Sequence, residues 1–191
     1  FHLANLYIRG KGVGKDLVEG FKFLERAIEL GNSDAANSLG WYYHQGLHVP
    51  RDFDKARDYY EKAIKLEPNY SSYALNNLGE LYLEGQGVDI DFVKAREYNE
   101  RALKIDPNFH VSLFDLAEIY FNGWGIDKDI SRAVKLYEKA ALSGYEDAAN
   151  KLVNIFQYGM GVEKSLEKAN YWAEVDIKPA DEEEDLLLLG L

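Results

Sequence analysis

One eleven-residue phrase occurs five times along the chain: LANLYIRGKGV from Leu3, LGWYYHQGLHV from Leu39, LGELYLEGQGV from Leu78, LAEIYFNGWGI from Leu116 and LVNIFQYGMGV from Leu152. Successive copies start 36, 39, 38 and 36 residues apart. Inside a copy the spacing never changes. Ten residues separate the leading Leu from Val13, Val49, Val88, Ile126 or Val162, and seven more lead to Gly20, Ala56, Ala95, Ala133 or Ala169. Length varies only between copies, as in the longer turn EPNYSSY. A period of roughly 20–50 residues marks a stack of supersecondary units, each burying its apolar face on the next.

Each copy reads as two helices. In the first, helix A, Ala36, Leu39, Gly40 and Tyr43 recur at helical spacing and share a face. Leu78, Gly79 and Tyr82 repeat that stripe, as do Leu116, Ala117 and Tyr120, and then Leu152, Val153 and Phe156. A small residue beside a large ring lets two helices approach while the ring fills the space alongside. Gly46, Gly85, Gly123 and Gly159 are expected to close these helices. Helix B follows as DFDKARDYYEKAIKL, DFVKAREYNERALKI and DISRAVKLYEKAAL. Asp52, Asp91 and Asp129 stand where a carboxylate caps free N–H groups. The expected buried stripes of helix B are Gly20, Phe23, Leu24 and Ala27; Ala56, Tyr59, Tyr60 and Ala63; Ala95, Tyr98 and Ala102; and Ala133, Leu136, Tyr137 and Ala140. Pro68 and Pro107 stop continuation in the second and third repeats, Gly31 and Gly144 in the first and fourth.

The pattern A-x-x-L-G-x-x-Y-x-x-G-x-G-V followed by D-x-x-x-A-x-x-W/Y-x-x-x-A resembles the Sel-one-like repeat (SLR) family, a branch of the tetratricopeptide-type α-solenoids. AANSLGWYYHQGLHV with DFDKARDYYEKA carries the likeness best, and it extends over roughly residues 1–176. The resemblance implies an all-α fold, a right-handed α-solenoid of about five antiparallel helix pairs. The repeat domain is expected over 1–178, in units near 1–31, 32–69, 70–108, 109–144 and 145–176. The turns LEPNYSSY and IDPNFH look like ordinary tetratricopeptide ends. Asp176 replaces the alanine that closes helix B in the other repeats, which suggests a lost packing partner near the end of the stack. The incomplete first helix and the opening Phe1 suggest a piece of a longer array.

The resemblance also implies a function. Members of this family look like adaptors and scaffolds, with helix A lining a concave face. Positions two before, two after and five after the leading Leu should then face a groove. They are Asn37, Trp41 and His44; Asn76, Glu80 and Leu83; Phe114, Glu118 and Phe121; Asn150, Asn154 and Gln157; and, in the first repeat, Asn5 and Ile8. An asparagine at the first of these positions looks like a partner for a bound peptide backbone, since an amide both donates and accepts. Trp41, Phe114 and Phe121 would be apolar anchors. With Glu80 and Glu118 and no lysine at these places, the groove should suit a neutral or basic segment.

Composition narrows the function further. The 191 residues carry 22 Lys+Arg against 33 Asp+Glu, a net charge of -11, which disfavours nucleic acid as a partner. With no cysteine there is no disulfide framework, thiol nucleophile or thiolate metal site. No apolar run approaches the length of a membrane span, so direct membrane insertion is not expected. His44 and His48 have the separation of two ligands on one helix face, but Gly46 lies between them and no third ligand is spaced for them. GKGVGK at 10–15 follows a helix and is matched by GQGV, GWGI and GMGV, so it reads as a repeat turn rather than a phosphate loop. No carboxylate pair stands apart as acid and base. The expectation is a non-enzyme without cofactor or metal.

The tail 179–191, PADEEEDLLLLGL, departs from the repeats. It is read either as a short helix that caps the last repeat or docks in the groove, or as a linear motif for another protein, and its leucines offer a route to self-association. Two functions follow for the whole chain. One is a protein–protein interaction scaffold gripping a peptide or partner helix. The other is an architectural or regulatory segment of a larger protein with no ligand of its own.

Overall fold

The computed structural model describes residues 1–175, which form ten α-helices and no strand, a helix-pair solenoid of five pairs. Asp176 and the tail 179–191 lie outside the described residues. The described chain divides into two compact units, within 1–90 and 91–175. The first holds α1 (His2–Arg9), α2 (Leu17–Glu29), α3 (Ser33–Gln45), α4 (Phe53–Leu66) and α5 (Ser72–Glu84). The second holds α6 (Phe92–Ile105), α7 (His110–Asn122), α8 (Ile130–Leu142), α9 (Glu146–Tyr158) and α10 (Leu166–Glu174). Within each unit every helix packs on the next.

The helix ends follow from the residues placed there. Asp52, Asp91 and Asp129 accept from the backbone N–H groups of Lys55, Lys94 and Arg132 at 3.0, 3.0 and 2.9 Å. Asp16, Asn32 and Ser165 do the same for α2, α3 and α10. Each such cap contributes about 1 kcal/mol. Helices α1, α3, α5, α7 and α9 each end on a left-handed glycine. Two residues later the chain turns left-handed again, at Gly12, Gly87, Gly125 and Gly161. In the second repeat that position is His48, which holds φ 67. A Cβ on Gly87 would lie 2.5 Å from Cβ of Phe53, so this turn presses against the start of α4.

The core of the first unit contains Leu24, Tyr42, Tyr60, Leu75, Leu78 and Leu81, all essentially inaccessible. Burying each leucine contributes about 1.5–3 kcal/mol. Gly40 lets α3 approach α4: a Cβ there would stand 2.6 Å from the Tyr60 ring. The second unit has its own core of Leu113, Ile119, Tyr137, Leu152 and Ile155.

The buried stripe of helix B is narrower than the sequence pattern suggests. Phe23, Tyr59, Tyr98 and Leu136 are half-buried, while the next residue in each repeat, Leu24, Tyr60, Asn99 and Tyr137, is fully buried. The flanking rings cover the edge of the helix pair instead. Phe23 stacks on Tyr7 at 5.4 Å and Tyr59 on Tyr43 at 5.8 Å. Asn99 stands where the second and fourth repeats have tyrosine, and its Nδ2 donates to the Ala95 carbonyl of its own helix at 3.1 Å.

Candidate functional site

In the first unit, Asn37, Trp41 and His44 lie along one face of α3, and Asn76, Glu80 and Leu83 along one face of α5. The spacing of four and then three residues aligns each row. The two helices are tied directly. Asn77 Nδ2 donates to Asn37 Oδ1 at 3.0 Å near their N-terminal ends, and His44 bonds Gln86, just beyond the end of α5.

The sequence pattern placed all these residues in the open, and the structure corrects that. Asn37, His44 and Asn76 are 4–5 % exposed: Asn77 of α5 lies on Asn37, and Tyr60 and Phe53 of α4 together with Gln86 enclose His44. Trp41, Glu80 and Leu83 are half-buried and keep part of their surface. Ile8 and Asn5 in α1 are buried, and neither polar atom of the Asn5 side chain has a partner among the described residues.

His44 sits in a directional hydrogen-bond chain. Its Nε2 is 2.5 Å from Gln86 Oε1, its Nδ1 is 3.2 Å from the Tyr60 hydroxyl, and Gln86 Nε2 is 2.5 Å from Glu84 Oε2. An amide oxygen only accepts, so Nε2 of His44 carries a proton and donates to Gln86, while Nδ1 pairs with the Tyr60 hydroxyl. Both ring nitrogens are thus occupied, and His48 has turned away into the left-handed loop. Burial, and secondarily Glu80, holds the Tyr60 hydroxyl well above its ordinary pKa and keeps it a donor.

Past His44 the surface opens into a cleft of about 240 Å³ lined by His44, Gln45, Arg51, Phe53, Glu80, Glu84 and Gln86. Glu80 makes no hydrogen bond or ion pair with a described residue. Burial raises its carboxyl pKa, the nearby His44 opposes that rise and Glu84 adds to it. Arg51 sits 5.8 Å over the Phe53 ring and reaches the Gln45 carbonyl at 3.4 Å, and it forms no ion pair with either acid.

The corresponding positions of the second unit are spent internally. Glu118, on α7, accepts from the Tyr137 hydroxyl and from Asn122 Nδ2 at 3.1 Å, and pairs with Lys151 Nζ at 2.7 Å. That ammonium lies 5.3 Å over the Phe121 ring and 6.0 Å over the Tyr137 ring. Phe121 is 8 % exposed, and half-buried Phe114 packs on Tyr137 and Tyr145 at 5.6 and 5.0 Å. Asn150 and Asn154 on α9 are exposed and Gln157 is half-buried. Sequence reasoning missed Lys151, Arg51, Glu84 and Gln86 because it sampled fixed positions of helix A. It missed the polar role of Tyr60 and Tyr137 because their spacing marked them as packing residues.

The repeat model described as Sel1 repeat matches residues 1–32, 33–67, 72–104, 110–145 and 147–174. The chain belongs to the Sel1 repeat family. Sel1 repeat proteins are in general protein-interaction modules, and the fold is a non-catalytic scaffold. Among solved structures, the chain is similar to a Sel1 repeat protein from Oxalobacter formigenes, at 28% identity and a TM-score of 0.80, over 91% of this chain and 69% of that one. It is similar to Helicobacter pylori cysteine rich protein B at 28% identity and a TM-score of 0.52, covering 69% and 96% of the two chains. It shares the fold of c5321, a protective antigen of uropathogenic Escherichia coli, at 22% identity and a TM-score of 0.53, spanning 90% of this chain and 43% of that one. No curated protein matches the sequence. Among the described residues, no helix is long and apolar enough to cross a membrane.

Proposed function

We propose that this Sel1 repeat chain is a scaffold that holds a neutral or basic segment of a partner protein on the α3–α5 face of its first unit. The observation that carries this reading is the contrast between Glu80 and Glu118. These two acids share one repeat position. Glu118 is consumed by Tyr137, Asn122 and Lys151, whereas Glu80 borders an open polar cleft with no hydrogen-bond or ion-pair partner among the described residues. Trp41, one turn before His44, and Leu83, one turn after Glu80, supply half-buried apolar surface on the same two helices. Apolar contacts give most of the energy of such an interface, and a few placed polar groups give its specificity.

The test is a selection of displayed peptides on the full chain, with Trp41→Ala/Leu83→Ala in parallel. Peptides captured by the parent and lost by the folded double variant support the reading. Equal capture by both, or none by either, removes it and leaves an architectural role.

A further inference from the structure

We infer that the cleft at the C-terminal ends of α3 and α5 is a pocket for a single basic side chain, lysine or arginine, of the partner segment. The inference rests on the binding face proposed above and names what one position of its ligand must be.

The chain itself contains the template. At Glu118 an ammonium, Lys151 Nζ, is held at 2.7 Å by a carboxylate and covered by the Phe121 and Tyr137 rings. Lys151 is the residue just before the leading Leu152 of the next repeat. The residue at the matching sequence position after Glu80 is Asp115, and the residue matching Tyr137 is Asn99. The sequence therefore supplies neither the cation nor the hydroxyl that completes Glu118. What remains at Glu80 is a carboxylate, a second carboxylate at Glu84, the Phe53 ring and the carboxamides of Gln45 and Gln86, around about 240 Å³. A water occupies about 30 Å³ of liquid, so this volume admits the end of a long side chain.

Charge decides the ligand's sign. Two acids face one cation, Arg51, and that cation is already placed over Phe53 and toward Gln45. Both His44 ring nitrogens are engaged, by Tyr60 and Gln86, so the imidazole offers the ligand no free acceptor. Glu80 and Glu84 both line the cleft, and an anion entering it would meet two carboxylates. An ammonium or guanidinium would gain a charge-assisted hydrogen bond to Glu80 in a partly desolvated setting. The carboxamide oxygen of Gln86 is turned to His44 and its nitrogen to Glu84 Oε2, which leaves both Glu80 oxygens open to a donor.

The test is titration of the full chain, followed by NMR, with acetyl-lysine amide, acetyl-arginine amide and acetyl-norleucine amide. The basic amides are expected to shift signals of residues around His44 and Glu80, and norleucine amide is not. Glu80→Gln should weaken binding by about tenfold, the loss of one charge-assisted contact. Arg51→Gln should strengthen it, and Glu118→Gln should leave it unchanged. Preference between lysine and arginine amides identifies the headgroup. Equal shifts by norleucine amide, or basic-amide binding indifferent to Glu80→Gln, overturns the pocket. Display-selected peptides that depend on Trp41 but lack a basic residue overturn the pocket while the binding face stands. Basic amides that bind where no peptide is captured leave the pocket and remove the face.

Discussion

The α-carbon of Gly40 lies directly under the ring of Tyr60, so near that a methyl group on it would stand 2.6 Å from two ring carbons. It would also lie 3.1 Å from the Ala56 carbonyl. Gly40→Ala must therefore push α3 away from α4 or displace a fully buried tyrosine. The expected loss of stability is about 1–3 kcal/mol, the usual cost of overpacking, even though alanine is the better helix former. Urea denaturation checks this. An unchanged or higher midpoint would mean that the two helices are not in close contact.

His48 is a histidine where the other four repeats have left-handed glycine. A side chain with a Cβ pays about 1 kcal/mol or more for that conformation. His48→Gly should relieve it, and thermal melting should show a gain of about 1 kcal/mol, offset in part by the greater freedom of glycine in the unfolded chain. His48→Ala keeps the Cβ and should give no gain. Equal gains for both would place the cause in the imidazole rather than the backbone.

Glu80 gives a pH-dependent prediction. Burial raises its carboxyl pKa, so the folded chain holds that proton at pH values where the unfolded chain has released it. Stability from this group therefore falls as pH rises from the unfolded glutamate pKa through the folded one, and then levels off. Glu80→Gln should melt at a higher temperature than the parent at neutral pH. The difference should shrink to nothing as pH drops below the ordinary glutamate range. A gain that persists or grows in acid would contradict the burial of the charge.

Lys151 and Glu118 form a partly buried pair, 31% and 17% exposed at their side chains. Lys151→Met leaves the acid with Tyr137 and Asn122 but no cation. The loss should be about 1 kcal/mol, above the typical exposed pair. In a double-mutant cycle with Glu118→Gln the second change should cost much less in the Met background, a coupling of about 1 kcal/mol. Additive losses would show that the 2.7 Å contact contributes nothing.

The fold was legible because repetition multiplies weak signals. A single Leu-Gly-x-x-Tyr says little, but five copies at fixed spacing specify helix, turn and helix, and the aspartate caps fall within one residue of where the pattern sets them. The candidate face was legible only as rows of residues. Asn37, His44 and Phe121 occupy the anticipated positions but are buried by neighbours that periodicity does not describe. Periodicity gives a residue's angle around its own helix, not what the next helix lays over it. The contrast between Glu80 and Glu118 was equally hidden, since it depends on Lys151 in a different repeat.

Each A–B connection contains two left-handed residues set two apart, and in the third repeat it is wedged on Phe53 of the preceding one. Its length is identical in all five repeats, while the B–A connections differ by up to three residues. The molecule thus has one kind of joint that tolerates added length and one that does not. Cutting and rejoining at the B–A joints exchanges whole cassettes, each carrying its own capped helices and its own surface residue at the Glu80 position. Duplication and shuffling at those joints can change what the scaffold recognises while every hairpin keeps its internal geometry.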